Sequence, residues 1–351
     1  MLGKNDEGFK AGCFMGNEDS RTARSIRTQK FLQIFPENRR DEWRRTSAYV
    51  ESLQEIRLRA GKQILLYIDG EEYYLRKDGE PAKCRGQAVV EGICACREEL
   101  EELLSYACSG SMYAYEEELG KGYLTLPGGH RMGLVGEVTL DGEERIRNIK
   151  HIAGMNIRIA HERKGAADKI LPYLYEGKRF LNTLILSPPL CGKTTLLRDL
   201  IRQVSNGSAW AQGKTVAVVD ERSEIAGCYR GIAQNDVGLR TDVLDGCPKA
   251  VGMLLLLRSM APGVIAVDEL GGVEEIQAVR RALQCGCGIL ATMHAATAEE
   301  AAVRLSDGMP GRNSIFERYV VLEREEGERG FQIRACVRDS AFQSLDGGLI
   351  C

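Results

Sequence analysis

The sequence predicts an α/β chain in which helices cover both faces of a parallel sheet, preceded by a smaller α+β domain. Three observations predict it. From Asn182 onward, short strands of continuous apolar content alternate with helix-length segments, as strands buried on both faces do. The turn between the first such strand and the first such helix reads Ser187-Pro-Pro-Leu-Cys-Gly-Lys-Thr-Thr195. Ahead of it, from Ser47 to His161, the signals are shorter alternating stretches with turn punctuation.

Residues 1–46 form a basic extension without sustained periodicity, and Pro36 and Asn38 interrupt any long helix there. Arg21, Arg24, Arg27 and Lys30 recur every third residue, which would line one helical face for anionic lipid or leave a solvated tail or helix. Residues 47–161 make the α+β domain. Its strands are Ile64–Ile68 and Tyr73–Arg76 about the turn Asp69-Gly70, then Tyr123–Leu126, Met132–Leu140 and Asn156–Ala160. Its helix is Glu98–Cys108, with Leu100, Leu103, Leu104 and Ala107 on one face. A charged linker, 162–178, leads into the main domain, 179–325. There the expected order is strand Asn182–Ser187, helix Lys193–Val204, strand Thr215–Asp220, helix Pro248–Met260, strand Val264–Asp268, helix Val273–Leu283 and strand Gly288–Thr292. Tyr319–Glu323 and Phe331–Cys336 read as closing strands, the latter in the C-terminal segment 326–351.

Composition excludes several classes. A chain of 351 residues with 44% hydrophobic content is neither disordered nor fibrous and allows about two domains. The net charge of −3, from 47 basic and 50 acidic residues, gives no global field for nucleic acid. The longest apolar stretch, Ala250–Leu257, ends at Arg258 and is far short of the roughly 20 residues a bilayer needs. Twelve scattered cysteines without a secretory leader suit a reducing cytosol. The Cys-x-Cys pairs Cys94/Cys96 and Cys285/Cys287 lack zinc-hairpin spacing and are expected to be buried, inert thiols.

Chemistry concentrates at strand ends. A loop at a helix N-terminus turns backbone N–H groups toward a phosphate chain, so Ser187, Pro188, Pro189, Leu190, Cys191, Gly192, Lys193, Thr194 and Thr195 form the candidate nucleotide-binding loop. Lys193 would reach the β and γ phosphates of ATP, and Thr194 would hold Mg²⁺. The first glycine of the strict pattern is Ser187 here. About 75 residues on, the apolar strand Val264–Val267 ends in Asp268-Glu269: Asp268 to bind the Mg²⁺ through water, Glu269 to polarise an attacking water. Asp220-Glu-Arg-Ser-Glu224 ends another strand, leaving Glu221 and Glu224 open as the water-activating acid. His294 ends a further strand, in Thr292-Met-His294, where it would sense or stabilise the γ-phosphate.

These ordered motifs resemble the type II and type IV secretion and pilus motor ATPases. The resemblance covers Asn182 to Leu305: an acidic box at Asp220–Glu224, Arg258 ahead of the acidic strand, Arg281-Ala-Leu283, Thr292-Met-His294 and Arg304-Leu305. It implies a RecA-like core, a separate N-terminal domain, hexameric assembly and a catalytic role for Arg258. From 47 to 325 the chain is similar to a sporulation-specific branch of that superfamily in endospore-forming bacteria. This rests on Glu55–Arg59, Gly128–Gly133, Asp220–Arg230 and Gln234–Lys249. It implies a cytoplasmic ATPase of the mother cell, attached through membrane-bound partners to the forespore membrane, that powers assembly of, or secretion through, a channel complex. Secretion motors often end the acidic strand in Gly-Glu, whereas this chain has Asp268-Glu269. Arg131, Arg158, Arg230 and Arg240 are candidates to act across a subunit boundary or to form surface ion pairs. Three other functions compete. A nucleotide-gated scaffold would have the same sequence, a RecA-like nucleic-acid motor is weakened by 6% aromatic content, and a small-molecule kinase leaves His294 without a task.

Overall fold

The computed structural model describes residues 16–83, 92–120, 122–140, 146–188, 191–305, 315–327, 330–345 and 349–350. The chain divides into two compact units, Met1–Ala160 and His161–Cys351.

The first unit contains helices α1 (Gly16–Leu32) and α2 (Arg40–Trp43), strands β1 (Leu53–Arg59), β2 (Leu65–Ile68), β3 (Glu71–Leu75) and β4 (Pro81–Lys83), helices α3 (Arg97–Ala107) and α4 (Glu116–Gly120), and strands β5 (Tyr123–Thr125), β6 (Arg131–Leu140) and β7 (Ile146–Arg158). The strands form an antiparallel seven-stranded sheet in the order β4-β3-β2-β1-β7-β6-β5. Leu66, Ile56, Ile157 and Met132 stand in register across four of them and are fully buried. Leu100, Leu103, Leu104 and Ala107 of α3 join that core, as the helical spacing predicts.

The basic extension also enters this core from Phe31 on. Phe31, Ile34, Phe35 and Trp43 are buried there, and the Phe35 and Trp43 rings stack with centroids 4.1 Å apart. Their apolar residues bunch at the end of α1 instead of recurring along it, so no periodicity announces the helix. Arg24 donates to the Ala48 carbonyl and Arg27 pairs with Glu51, which ties two of the basic residues to the chain itself.

The second unit contains the short strands β8 (Tyr175–Glu176) and β9 (Arg179–Phe180), then β10 (Thr183–Leu186), α5 (Lys193–Asn206), β11 (Val216–Asp220), β12 (Thr241–Asp245), α6 (Lys249–Ser259), β13 (Val264–Val267), α7 (Val273–Gln284), β14 (Gly288–Met293), α8 (Ala298–Leu305), β15 (Arg318–Gly327), β16 (Gly330–Asp339) and β17 (Leu349–Ile350). Its main sheet has the order β12-β11-β13-β14-β10-β15-β16-β17 and is parallel from β12 to β15. Alternation divides the apolar strands between two cores. Ile185, Val216, Val218, Val264 and Ala266 face Leu197, Leu200 and Val204 of α5, while Leu184, Leu186, Ala217, Val219, Ile265 and Val267 face Met253, Ile276 and Val279 of α6 and α7.

The second unit also differs from expectation in places. The stretch 162–178 packs into the unit: Ala167, Ile170, Leu171 and Leu174 are buried in the α5-side core, an i, i+3, i+4, i+7 set hidden among charges. The core runs past residue 325, because β16 pairs along its length with β15. Edge strand β12 was unexpected, its apolar Val243-Leu244 being flanked by Asp242 and Asp245.

Because β10, β11, β13 and β14 run parallel, the loops after them lie at one sheet edge, and the passage from β10 to β11 over two intervening strands makes a topological switch there.

Candidate functional site

The loop after β10 turns into α5 through Gly192, whose φ of 75° lies in the left-handed region that favours glycine. Pro189 and Leu190 lie outside the described residues. Ser187 is buried, its Oγ donating to the Pro188 carbonyl at 2.8 Å, and Cys191 is buried as well. The turn delivers Lys193 and Thr194 as the first residues of the helix, and Thr195 follows on it.

Lys193 is almost fully enclosed. Its Nζ lies 3.1 Å from His294 Nε2 and 3.8 Å from Glu269 Oε1. Burial lowers its pKa, against the attraction of Asp268, Glu269 and Glu224. His294 Nε2 is also 3.0 Å from Glu269 Oε1. A ring nitrogen does one thing at a time, so Nε2 accepts from Lys193 when bare and donates to Glu269 when protonated. The second Glu269 oxygen, Oε2, takes Arg222 at 3.1 Å. Burial raises the Glu269 pKa, but the His294 hydrogen bond and the charges of Lys193 and Arg222 outweigh it, and the carboxyl sits below its ordinary range. Glu269 also has φ 54°, a left-handed conformation uncommon for a side-chain-bearing residue.

Asp268 is held from two sides. Thr194 Oγ1 donates to its Oδ2 at 2.9 Å, and Thr292 Oγ1 donates to its Oδ1. The Thr292 oxygen in turn accepts the Glu269 N–H at 2.8 Å. A hydroxyl and a carboxylate in contact are hard oxygen donors of the kind Mg²⁺ takes when substrate phosphates and water complete its shell. Among the described residues no group of three or more His, Cys, Asp or Glu could hold a metal, so these residues fit a phosphate-borne Mg²⁺ and not a site made wholly by protein. Beside the cluster lies a cavity of about 260 Å³ lined by Glu269, Leu270, Gly271, Ile276, Met293, His294 and Arg304.

The acidic stretch after β11 divides its labour. Asp220 is 2% exposed and accepts the N–H groups of Glu224, Ile225 and Ala226 at 2.8, 3.0 and 2.8 Å; burial raises its pKa despite them. Arg198 of α5 donates to the carbonyls of Ile225 and Glu224 at 2.5 and 2.7 Å. The loop is thereby fixed, and Arg222 is set against Glu269.

A family model, "Sporulation stage III, protein AA", matches residues 25–337. The chain belongs to this family. Stage III sporulation protein AA of Bacillus subtilis (strain 168) is 44% identical over 243 residues, 69% of this chain and 78% of the relative. Among solved structures, the pilus retraction motor PilT with bound ADP superposes with a TM-score of 0.58 at 16% identity, covering 84% of this chain and 81% of PilT. The Legionella pneumophila ATPase DotB does so with a TM-score of 0.50 at 16% identity, covering 84% and 78%. At such identity the likeness establishes the fold, a RecA-like P-loop core with a parallel sheet.

Of the residues singled out by sequence, the fold brings Lys193, Thr194, Asp268, Glu269 and His294 together. Glu224 lies within electrostatic reach of Lys193. Glu221 is engaged elsewhere, with Lys249 at 2.6 Å. Arg258 is exposed in the last turn of α6, which runs back to the start of β13, so it sits at the sheet edge opposite the cluster. Sequence reading assigned no role to Arg222, Thr292, Arg198 or Lys249. Arg222 and Thr292 lie inside motifs already noted, but nothing in the spacing says which acid each meets. The thiol expectation holds for Cys287 alone: Cys94, Cys96 and Cys285 are exposed, Cys96 and Cys285 because they cap the ends of α3 and α7. Among the described residues no helix is long and apolar enough to cross a membrane.

Proposed function

We propose that this chain hydrolyses ATP with Mg²⁺ to power assembly of, or secretion through, a membrane channel complex during endospore formation. The observation that carries the reading is the convergence of Lys193, Thr194, Asp268, Glu269 and His294 where β10 turns into α5. Loop 187–195 and the N-terminus of α5 bind the phosphate chain through backbone N–H groups, and Lys193 leaves Glu269 and His294 to meet the β and γ phosphates. Thr194 and Asp268 are the ligands for Mg²⁺, which when bound neutralises charge on those phosphates. Glu269 orients and deprotonates the attacking water, while His294, hinged through its carbonyl to Arg304 at 2.7 Å, reads whether the terminal phosphate is present. The family and the fold support a working form that is a homo-oligomer, a hexamer, in the mother-cell cytoplasm, held at the forespore membrane by membrane-bound partners.

The test is Mg²⁺-dependent ATP turnover as a function of protein concentration, for wild type, Lys193→Ala and Glu269→Gln. The reading requires specific activity that rises with concentration and is lost in both variants while the glutamine variant still binds ATP. Wild-type protein that binds ATP yet never turns it over, at any concentration, would leave a nucleotide-gated scaffold in its place.

A further inference from the structure

The four amides that follow Asp268 all have acceptors. Glu269 N–H donates to Thr292 Oγ1 and Leu270 N–H to the Thr292 carbonyl, both at 2.8 Å. Gly271 and Gly272 N–H donate to Glu275 Oε2 at 2.9 and 3.3 Å. Thr292 is anchored in a central strand, but Glu275 is a side chain in the first turn of α7. Its other oxygen, Oε1, lies 3.4 Å from Lys249 Nζ, and the same Nζ lies 2.6 Å from Glu221 Oε2. Lys249 is 11% exposed, so this is no solvated surface pair. Burial works to lower its pKa, yet the two carboxylates raise it on balance, and the ammonium stays charged. Lys249 is also the first residue of α6, where the helix dipole disfavours a cation. A cation kept against that preference, between two acids from different elements, points to a task other than helix stability.

We propose that Lys249 is a positioning residue for Glu269. It clamps Glu275, and through Glu275 the Gly271-Gly272 backbone, against the loop that carries Glu221. Two glycines beside a residue at φ 54° would otherwise let the Glu269 backbone relax out of its left-handed conformation and carry its carboxylate away from His294. Glu221 then serves as an anchor of this clamp and not as the acid that activates water. The inference deepens the ATPase reading and rests on it for its catalytic half; its structural half stands on backbone protection alone.

Lys249→Met and Lys249→Arg are compared with wild type in the full chain by steady-state ATP turnover, binding of a fluorescent ADP analogue and hydrogen exchange at residues 269–272. Lys249→Met should lower kcat about tenfold or more with KM and analogue affinity kept within about threefold, and Lys249→Arg should recover most of the loss. In Lys249→Met the amides of Gly271 and Gly272 should exchange about tenfold faster while those of β13 do not change. Should Lys249→Met fail to fold, Glu275→Gln breaks the same link while its amide oxygen still accepts from the two glycines, and the same loss of kcat is expected. Unchanged exchange at 271–272, unchanged kcat, or KM and affinity worsening in step with kcat overturns the assignment. If wild type does not turn over ATP, the ATPase reading falls and the exchange result still decides the clamp.

Discussion

Replacing Thr292 with valine removes one hydroxyl from the centre of the site and almost nothing else. The side chain is fully buried, and valine has nearly the same shape, so neither a cavity nor an exposed surface results. Two interactions are lost: the hydrogen bond donated to the Asp268 carboxylate, and the one accepted from Glu269 N–H at 2.8 Å. A hydrogen bond to a charged group contributes about 1.5–3 kcal/mol and a neutral one about 0.5–1.5, so the loss should be about 2–4.5 kcal/mol. Thr292→Ser keeps the hydroxyl and loses only a buried methyl, at about 1 kcal/mol. Urea unfolding at constant m separates the two. On the proposed reading, in which Asp268 holds Mg²⁺ and Thr292 only orients it, the valine variant should also need about 10–100-fold more Mg²⁺ for half-maximal turnover, and the serine variant should not. Valine and serine variants of equal stability and equal Mg²⁺ requirement would refute the reasoning.

Asp220→Ala strands the N–H groups of Glu224, Ile225 and Ala226, the latter two fully buried, and should cost about 3–5 kcal/mol at roughly 1–3 per unpaired donor, read by the same urea assay. A loss under about 1 kcal/mol would mean that Arg198 alone holds the loop. For Asp236, burial works to raise the carboxyl, but Lys164 at 2.6 Å and the Gly238 N–H at 3.1 Å hold it below its ordinary 3.8. A depressed acid adds stability above its unfolded pKa and loses it as pH falls through the folded one, so Asp236→Asn should flatten the fall of Tm on acidification below about pH 4 relative to wild type. Burial pushes the thiols of Cys108, Cys228 and Cys287 up to about 11, 12 and 11, whereas Cys94, Cys96 and Cys285 are exposed. A disulfide reagent at neutral pH, followed by peptide mass spectrometry, should therefore label the exposed three first and the buried three only after urea is added.

The sheet of the second unit was legible because its strands are buried on both faces. β10, β11 and β13 need no alternation, and continuous apolar runs between helix-length segments leave few other folds. Strands with partial burial were harder. β12 lies at an edge and carries acids, and β1, the middle strand of the first unit's sheet, has a register shift between Leu53 and Glu55 that breaks the period of two. The helical stripe at Ala167, Ile170, Leu171 and Leu174 is regular, but charges on every side and a run too short for a full helix made it read as a linker.

The site divides along the same line between local and distant information. A phosphate-binding loop is a local object: a strand, a turn needing a left-handed glycine and a helix N-terminus follow one another, so Gly192-Lys193-Thr194 announces itself. The role of an acid depends on which cation reaches it, and those cations come from far along the chain. Glu221 and Glu269 both end strands at the same sheet edge, and spacing alone gives them equal claim. Lys249, 28 residues away, takes Glu221, whereas Lys193, Arg222 and His294 converge on Glu269. Arg258 shows the converse. Its place just ahead of the acidic strand looks close in sequence, but a helix that returns antiparallel to the strands carries its last turn to the far edge, so within one chain it cannot meet the cluster around Lys193. Any part for Arg258 in the chemistry would have to be played at the site of a neighbouring copy, and replacing it should then leave the affinity of the chain's own site for nucleotide unchanged.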